Sequence, residues 1–255
     1  MRLSLVLPCF NEEANIEVTV KSCLGWMREE GISGEVIVVN DGSTDGTATI
    51  LQKIQEKCNS ASPPLREGIE GRGSIKIITH SQNLGYGAAV RSGCDTAYES
   101  WPAGRRPSAA ADVKGWIAFM DSDGQFDVKD FGKLLACLPQ NKIVIGRRRH
   151  RADPFMRKVN AKLFGLLSFL VLGIWVRDVN CAMKVFHRDA WKAGRPTVAT
   201  GAIFNAEFFY RLKKAGYTWK QVDVNHYPRK FGKQTGASLK VIVKMVRELV
   251  QVRIS

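Results

Sequence analysis

No Cys-x-x-Cys pair occurs in the 255 residues; Cys9, Cys23, Cys58, Cys94, Cys137 and Cys181 stand singly. Most have apolar neighbours, which suits reduced, buried thiols better than a disulfide framework. The four histidines, His80, His150, His187 and His226, also lack ligand spacing, which argues against zinc. No apolar run reaches the ~20 residues needed to span a bilayer. LFGLLSFLVLGIWV, at 163–176, comes nearest with 14 residues, and reads either as a buried core helix or as a helix lying in a membrane interface. The opening MRLSLVLPCFNEE has too short an apolar stretch for a signal peptide. Internal repeats and low-complexity tracts are missing, and 23 glycines with nine prolines point to neither a fibrous nor a disordered chain. Negative charge is scarce: 24 Asp and Glu against 38 Lys and Arg give a net charge of +14. Nucleic acid, an anionic membrane and a phosphorylated substrate would each suit that balance.

What remains is an ordinary globular composition, 45% hydrophobic and 24% charged, long enough for one large domain or two small ones. Short apolar runs read as buried strands: LSLVL (3–7), EVIVV (35–39), IKIIT (75–79), GWIAFM (115–120) and KIVIG (142–146). Helical patterns lie between them, at 12–30, 46–58, 86–99 and 128–138. That alternation predicts an α/β fold with a mostly parallel sheet covered on both faces. Polar, Pro- and Gly-containing loops at 59–73 and 100–115 interrupt the pattern without ending it. After residue 147 come a strand near 183–186, a helix at 202–215, a strand at 220–224 and a last helix at 237–253. A single domain is expected, with a first half, 1–146, and a more helical second half, 147–255.

Ligands bind such sheets at the carboxyl ends of the strands. PCFNEE follows the first strand and NDGSTDGT the second. Ser43, Thr44 and Asp45 suffice as turn and helix-cap residues. Asp41 and Glu12, on neighbouring strand ends, call for a ligand rich in donors, such as a nucleoside with its base N–H and ribose hydroxyls. The fourth strand ends in DSDGQFD. In an extended segment Asp121 and Asp123 share a face while Ser122 points away. Two carboxylates ~4 Å apart repel by about 4 kcal/mol at an effective dielectric near 20. A hard divalent cation relieves this, and oxygen ligands favour Mg²⁺ or Mn²⁺, with Gln125 as a third ligand and a diphosphate held by the metal.

LPCFNEE, VVNDGSTDGT, NLGYGAAVRSG and DSDGQFD together resemble the family 2 glycosyltransferases of the GT-A fold. IGRRR, RDVNCAMKVFHRDAW and YPRKFGKQTGAS resemble segments of the polyprenyl-phosphate hexosyltransferases, the branch typified by dolichyl-phosphate mannose synthase. The resemblance implies that Pro8, Asn11, Glu12, Asp41, Asp121 and Ser122 contact the nucleotide-sugar. It implies Asp121, Asp123 and Gln125 as metal ligands, and Arg148, Arg157 and Arg229 as holders of donor or acceptor phosphates. Arg147 departs from the family's usual Ser, Ala161 from its Ser, and Ala182-Met183 from its Gly-Phe. The implied reaction is metal-dependent, inverting transfer of a hexose from a UDP- or GDP-sugar to a polyprenyl phosphate.

A polyprenyl phosphate oxygen is already ionised, so transfer to it needs positioning and charge neutralisation, whereas a hydroxyl acceptor needs a base. The alternative is a family 2 enzyme acting on a glycan or other hydroxyl, for which Glu207 would be the base. A nucleic-acid module is set aside, because no RNA-recognition or helix-turn-helix signature appears. In the final helix Leu239, Ile242, Val246, Leu249 and Val250 form an apolar stripe beside Lys240, Lys244 and Arg247, as in a basic surface helix. With 163–176, it predicts a peripheral protein at the cytoplasmic face of a membrane.

Overall fold

The computed structural model describes residues 1–61, 72–100, 115–149, 155–201, 203–229 and 239–254, without the side chains at 59–61, 72–73, 155–158 and 239–246. Seven strands form one sheet: β1 (Arg2–Cys9), β2 (Ser33–Asn40), β3 (Arg72–Thr79), β4 (Gly115–Phe119), β5 (Ile143–Arg148), β6 (Lys184–His187) and β7 (Lys220–Val224). Their order is β3-β2-β1-β4-β6-β5-β7. β1 lies parallel between β2 and β4, β2 pairs parallel with β3, and β5 with β7. β6 runs antiparallel to both β4 and β5, the one reversal in an otherwise parallel sheet. The chain builds outward through β2 and β3, then returns to β4 on the other side of β1. That return makes β1/β4 a topological switch point, where ligands enter α/β sheets.

Side-chain alternation divides the core. Leu3, Leu5, Leu7, Val36 and Val38 face one layer, with α1 (Ile16–Glu29), α2 (Thr47–Ala61) and α4 (Phe131–Leu135). Val6, Ile37, Val39, Ile117 and Phe119 face the other. Against them pack α3 (Tyr86–Glu99), α5 (Phe155–Leu172), α6 (Arg188–Gly194), α7 (Phe204–Lys214) and α8 (Leu239–Ile254).

Several boundaries differ from the sequence reading. α1 starts at Ile16 rather than near 12, because Asn11 takes a left-handed turn (φ 55°) and the Glu12 carbonyl accepts from the Asn15 and Ile16 amides. The segment 128–138 is a 3-10 turn, Val128–Asp130, running into the short α4. The apolar helix is α5, which starts eight residues earlier than 163 and ends at Leu172, where Gly173 turns left-handed (φ 65°). Its two readings describe its two faces. Phe164 and Leu172 are buried in the second core layer, while Leu163, Leu166, Phe169 and Leu170 are exposed. In α8, Leu249 and Val252 face the core and Val250 points outward, so the adjacent Leu249 and Val250 do not share a stripe. Leu239, Ile242 and Val246, with Lys240 and Lys244, lie outside the described side chains; Arg247 is exposed.

Close packing of α3 on the sheet demands glycine at position 93, where a Cβ would fall 2.3 Å from Val6 Cγ1 and 3.0 Å from Val39 Cγ2. Both neighbours are stiff β-branched side chains. Gly25, inside α1, has open space around it. Gly93→Val is therefore expected to lower the unfolding free energy by about 1–3 kcal/mol through overpacking. Gly25→Ala should raise it by roughly 0.5–1 kcal/mol through reduced chain entropy. Urea denaturation of the two variants checks both signs.

Candidate active site

The carboxyl ends of β1, β2 and β4 meet at the switch point. Two of their loops are tied together. Asn11 Oδ1 accepts from the Thr44 amide at 2.8 Å, and the Asn11 amide donates to Ser43 Oγ at 3.0 Å. The Glu12 amide donates to Thr47 Oγ1 at 2.9 Å, and Glu13 accepts from the Gly46 amide at 2.7 Å. Asn11, Ser43 and Thr44 are thus engaged in joining the β1 and β2 loops. Asp45 does cap its helix, accepting from the Thr47 amide at 3.0 Å.

Asp41 is buried and already holds three donors: His80 Nδ1 at 2.7 Å and the Leu84 and Gly85 amides, each at 2.9 Å. Its carboxylate organises the loop into α3, with His80 held in turn by Ser92 at 2.9 Å. Ser122 is turned into the protein, its hydroxyl donating to the Pro8 carbonyl at 2.8 Å. The hydroxyl is thereby a strut between the ends of β4 and β1, with its oxygen still able to accept.

Asp121 sits beside this wall, half-buried, with its Oδ1 turned out of contact with solvent. Burial first, and then the Asp123 charge, push its carboxyl up to about 7, against hydrogen bonding from Tyr86 and the charges of Arg148 and Lys184. Its Oδ1 has no hydrogen-bond partner. Burial also raises Asp123, opposed by the Gln125 amide and by Arg229. Asp123 Oδ1 accepts from that amide at 3.1 Å, and Oδ2 lies 3.6 Å from Arg229 Nη1. Arg229 also donates to Glu12 Oε1, so one guanidinium joins the β1 and β4 ends. Gln125 Nε2 donates to the Tyr227 carbonyl at 3.0 Å, which leaves Oε1 as its ligand atom and fixes the turn to the segment after β7 that carries Arg229. Among the described residues no three His, Cys, Asp or Glu side chains are grouped as a metal site.

Arg148, at the end of β5, donates from Nε and Nη2 to the two oxygens of Asp178, each at 2.7 Å. Arg147 is turned away to Asp223, 2.6 Å from its Nε. Arg157 lies in α5, and its side chain is outside the described residues.

Four participants were not assigned a role from the sequence. Tyr86 and Asp178 support Asp121 and Arg148, and His80 supports Asp41. The fourth is Lys184, fully buried, whose ammonium donates to the Cys181 carbonyl and lies 5.0 Å from the Phe119 ring and 5.6 Å from that of Phe209. Burial lowers its pKa to about 8, opposed by the acids around it. The segment RDVNCAMKVFHRDAW that contains Lys184 was visible; a lysine seldom reads as interior.

Glu207 is fully buried and accepts from the Thr197, Val198 and Ala199 amides and from Arg211. It is a loop anchor, which replaces the role of base for a hydroxyl. The anchored loop continues to Thr200, whose carbonyl accepts from the Gly87 amide at 2.9 Å, next to Tyr86.

These strand ends form the candidate site of a mostly parallel α/β sheet, at its topological switch point. Residues 4–195 match the model for glycosyl transferase family 2, and the chain belongs to that family. Dodecaprenyl-phosphate galacturonate synthase of Rhizobium johnstonii is 30% identical over 75% of this chain and 49% of its own length. Dolichyl-phosphate beta-glucosyltransferase of Saccharomyces cerevisiae is 25% identical over 99% of this chain and 74% of its own. The chain thus spans about half the length of the Rhizobium relative. Among solved structures, glucosyl-3-phosphoglycerate synthase of Mycobacterium tuberculosis, in complex with Mn²⁺ and UDP, superposes with TM-score 0.60 at 18% identity, covering 98% of this chain and 77% of that one. Mannosyl-3-phosphoglycerate synthase of Rubrobacter xylanophilus gives 0.62 at 17% identity, covering 99% and 72%. Both share the GT-A fold.

Burial alone would raise the Glu207 pKa, but the amides and Arg211 outweigh it and hold the carboxyl below its ordinary value of 4.5. A lowered acid stabilises the fold above its unfolded pKa, and the contribution is lost as pH falls through the folded one. Glu207→Gln should cost about 1.5–3 kcal/mol at pH 7. The gap to wild type should narrow below pH about 4.5, which thermal melts across the acid range would show.

Proposed function

We propose that the protein transfers a hexose from a UDP- or GDP-sugar to a polyprenyl phosphate at the cytoplasmic surface of a membrane, with inversion. Residues 1–146 would hold the donor and 147–255 the acceptor. The observation that carries this reading is α5: it follows the β5 end bearing Arg148, and its outer face is bare and apolar at Leu163, Leu166, Phe169 and Leu170. Such a face suits a bilayer better than water. No helix among the described residues is long and apolar enough to cross one. The curated relatives named above are called dolichyl- and dodecaprenyl-phosphate transferases, which agrees with this acceptor class.

The residues fit a divalent cation. Asp121 has an unpartnered buried oxygen, and Asp123 stands beside it, with Gln125 Oε1 as a third donor. Mg²⁺ or Mn²⁺ there would offset diphosphate charge and stabilise the departing nucleotide. Pro8, Asn11, Glu12 and Asp41 would form the nucleoside wall, Asn11 and Asp41 chiefly by fixing its loops. Arg229 is placed to exchange its carboxylates for a phosphate, since phosphate offers the same planar donors a bidentate partner. Arg148, oriented by Asp178, would present positive charge to the acceptor phosphate, with Arg157 nearby on α5. That phosphate arrives ionised, so no proton need be removed, and Glu207's commitment to three amides agrees with this. Transfer to a glycan hydroxyl is the second reading, and it would need a base that Glu207 does not supply.

The test is incubation of the protein with labelled UDP-glucose or GDP-mannose, Mn²⁺ and polyprenyl phosphate in mixed micelles. A labelled, organic-soluble, acid-labile product is expected. Label appearing only on an added glycan would favour the second reading, and no transfer from any nucleotide-sugar would sink both.

Asp123→Asn is nearly isosteric and should keep the fold while abolishing Mn²⁺-dependent nucleotide binding, read by thermal shift. Arg229→Ala should impair transfer more than nucleotide binding. Unchanged turnover in the Arg229 variant would reduce that residue to a strut between Glu12 and Asp123.

A further inference from the structure

The C-terminal ends of α5, α7 and α8 enclose a cavity of about 380 Å³. The pocket is distinct from the strand-end site in its lining, which includes none of Asp121, Asp123, Arg148 or Arg229. Residues 170–172 form an apolar side, and Gly173, Tyr210, Lys213, Lys214 and Arg253 complete the lining. Three cations thus converge on one space, and no carboxylate lines it. Among the described residues none of the three makes an ion pair.

The cations are arranged rather than splayed. Lys213 Nζ donates to the Gly173 carbonyl at 2.5 Å. Arg253 Nη1 donates to Tyr210 Oη at 2.9 Å, and Lys214 Nζ stands 5.3 Å from the centre of the Tyr210 ring. Tyr210, buried at the floor, fixes two cations through its ring and hydroxyl. Three like charges held together without a counter-charge are a site for an anion. The surroundings specify which kind. Leu170 belongs to both the cavity and the bare face of α5, and Trp175, packed edge-on to Phe169 at 5.5 Å, and Ile254 extend the exposed apolar surface. An anion joined to a hydrocarbon chain satisfies both parts.

We infer that this cavity binds the phosphate headgroup of an anionic glycerophospholipid, with the acyl chains lying along Leu170 and the outer face of α5. The site anchors the second half at one end of α5 and leaves the other end to the acceptor. The inference rests on the membrane reading above, and its test separates the two.

The experiment is co-sedimentation of the full chain with vesicles of phosphatidylcholine alone, and with phosphatidylglycerol added, at physiological salt. Wild type should bind neutral vesicles through its apolar face and anionic vesicles at least tenfold more tightly. Each cation near an anionic surface contributes about fivefold. Lys214→Gln/Arg253→Gln should lose most of that preference, roughly thirtyfold at most, while keeping neutral binding and its melting profile. Lys53→Gln/Lys129→Gln, exposed lysines against the opposite face of the sheet, removes the same charge and should leave the preference intact. Equal loss in both double variants would reduce the effect to the general attraction of a basic chain and overturn the site. So would a retained preference in the Lys214/Arg253 variant. A Lys214- and Arg253-dependent thermal shift with glycerol phosphate, without vesicle preference, would reassign the cavity to a soluble phosphate. Absence of wild-type binding to either vesicle would sink the membrane reading itself, whereas equal binding to both would sink only the headgroup site.

Discussion

Repulsion between Asp121 and Asp123 is the constraint around which the site is built. Two half-buried acids at one strand end, one with an oxygen out of contact with solvent, cannot both ionise without positive charge close by. The fold supplies that charge from three directions. Arg229 reaches Asp123 from beyond β7, Arg148 acts from the end of β5, and Lys184 acts from inside the sheet. Each cation is itself restrained: Arg229 by Glu12, Arg148 by Asp178 and Lys184 by the Cys181 carbonyl. Strands β4, β5, β6 and β7 therefore meet electrostatically at one carboxylate pair, although that pair stands at the strand ends of β1, β2 and β4.

Mechanical support follows the same lines. Glu207 pins the loop before α7, that loop's Thr200 carbonyl holds the start of α3, and α3 presents Tyr86 to Asp121. Asp41 fixes the loop entering α3 from its other side through the Leu84 and Gly85 amides. Buried carboxylates that accept several amide hydrogen bonds are costly to disturb, because every amide left behind loses a charged partner. The scaffold thus uses acids twice: as ligand candidates at Asp121 and Asp123, and as fasteners at Asp41, Glu207 and Asp178.

Much of this was legible in the residues. Five strands appear as apolar runs, β6 and β7 were placed near 183–186 and at 220–224, and the rule that ligands gather at strand ends singled out Glu12, Asp41 and Asp121 without coordinates. What escaped depends on contacts distant in sequence. The run MKVF reads as a strand, but its reversed direction is set by pairing with β4 and β5, which local composition does not encode. Ser43 and Thr44 look like cap residues and instead bind Asn11, 32 and 33 residues earlier in the chain. Lys184 carries the signature of a surface residue and is fully buried. For α5, apolar side chains all round could not show which face is covered, and the structure shows that only one is.

The antiparallel strand β6 has a consequence for how the enzyme can move. It is hydrogen-bonded on one edge to β4, which ends in the acidic pair, and on the other to β5, which ends in Arg148. The two halves of the cleft are therefore edges of one continuous ladder and have no hinge between them. Any opening and closing falls to the connections above the sheet, and the spacing between the acidic pair and Arg148 is set by strand separation, a distance that thermal motion changes little. Loops and outer helices can then diversify toward new sugars or lipids while that spacing stays constant.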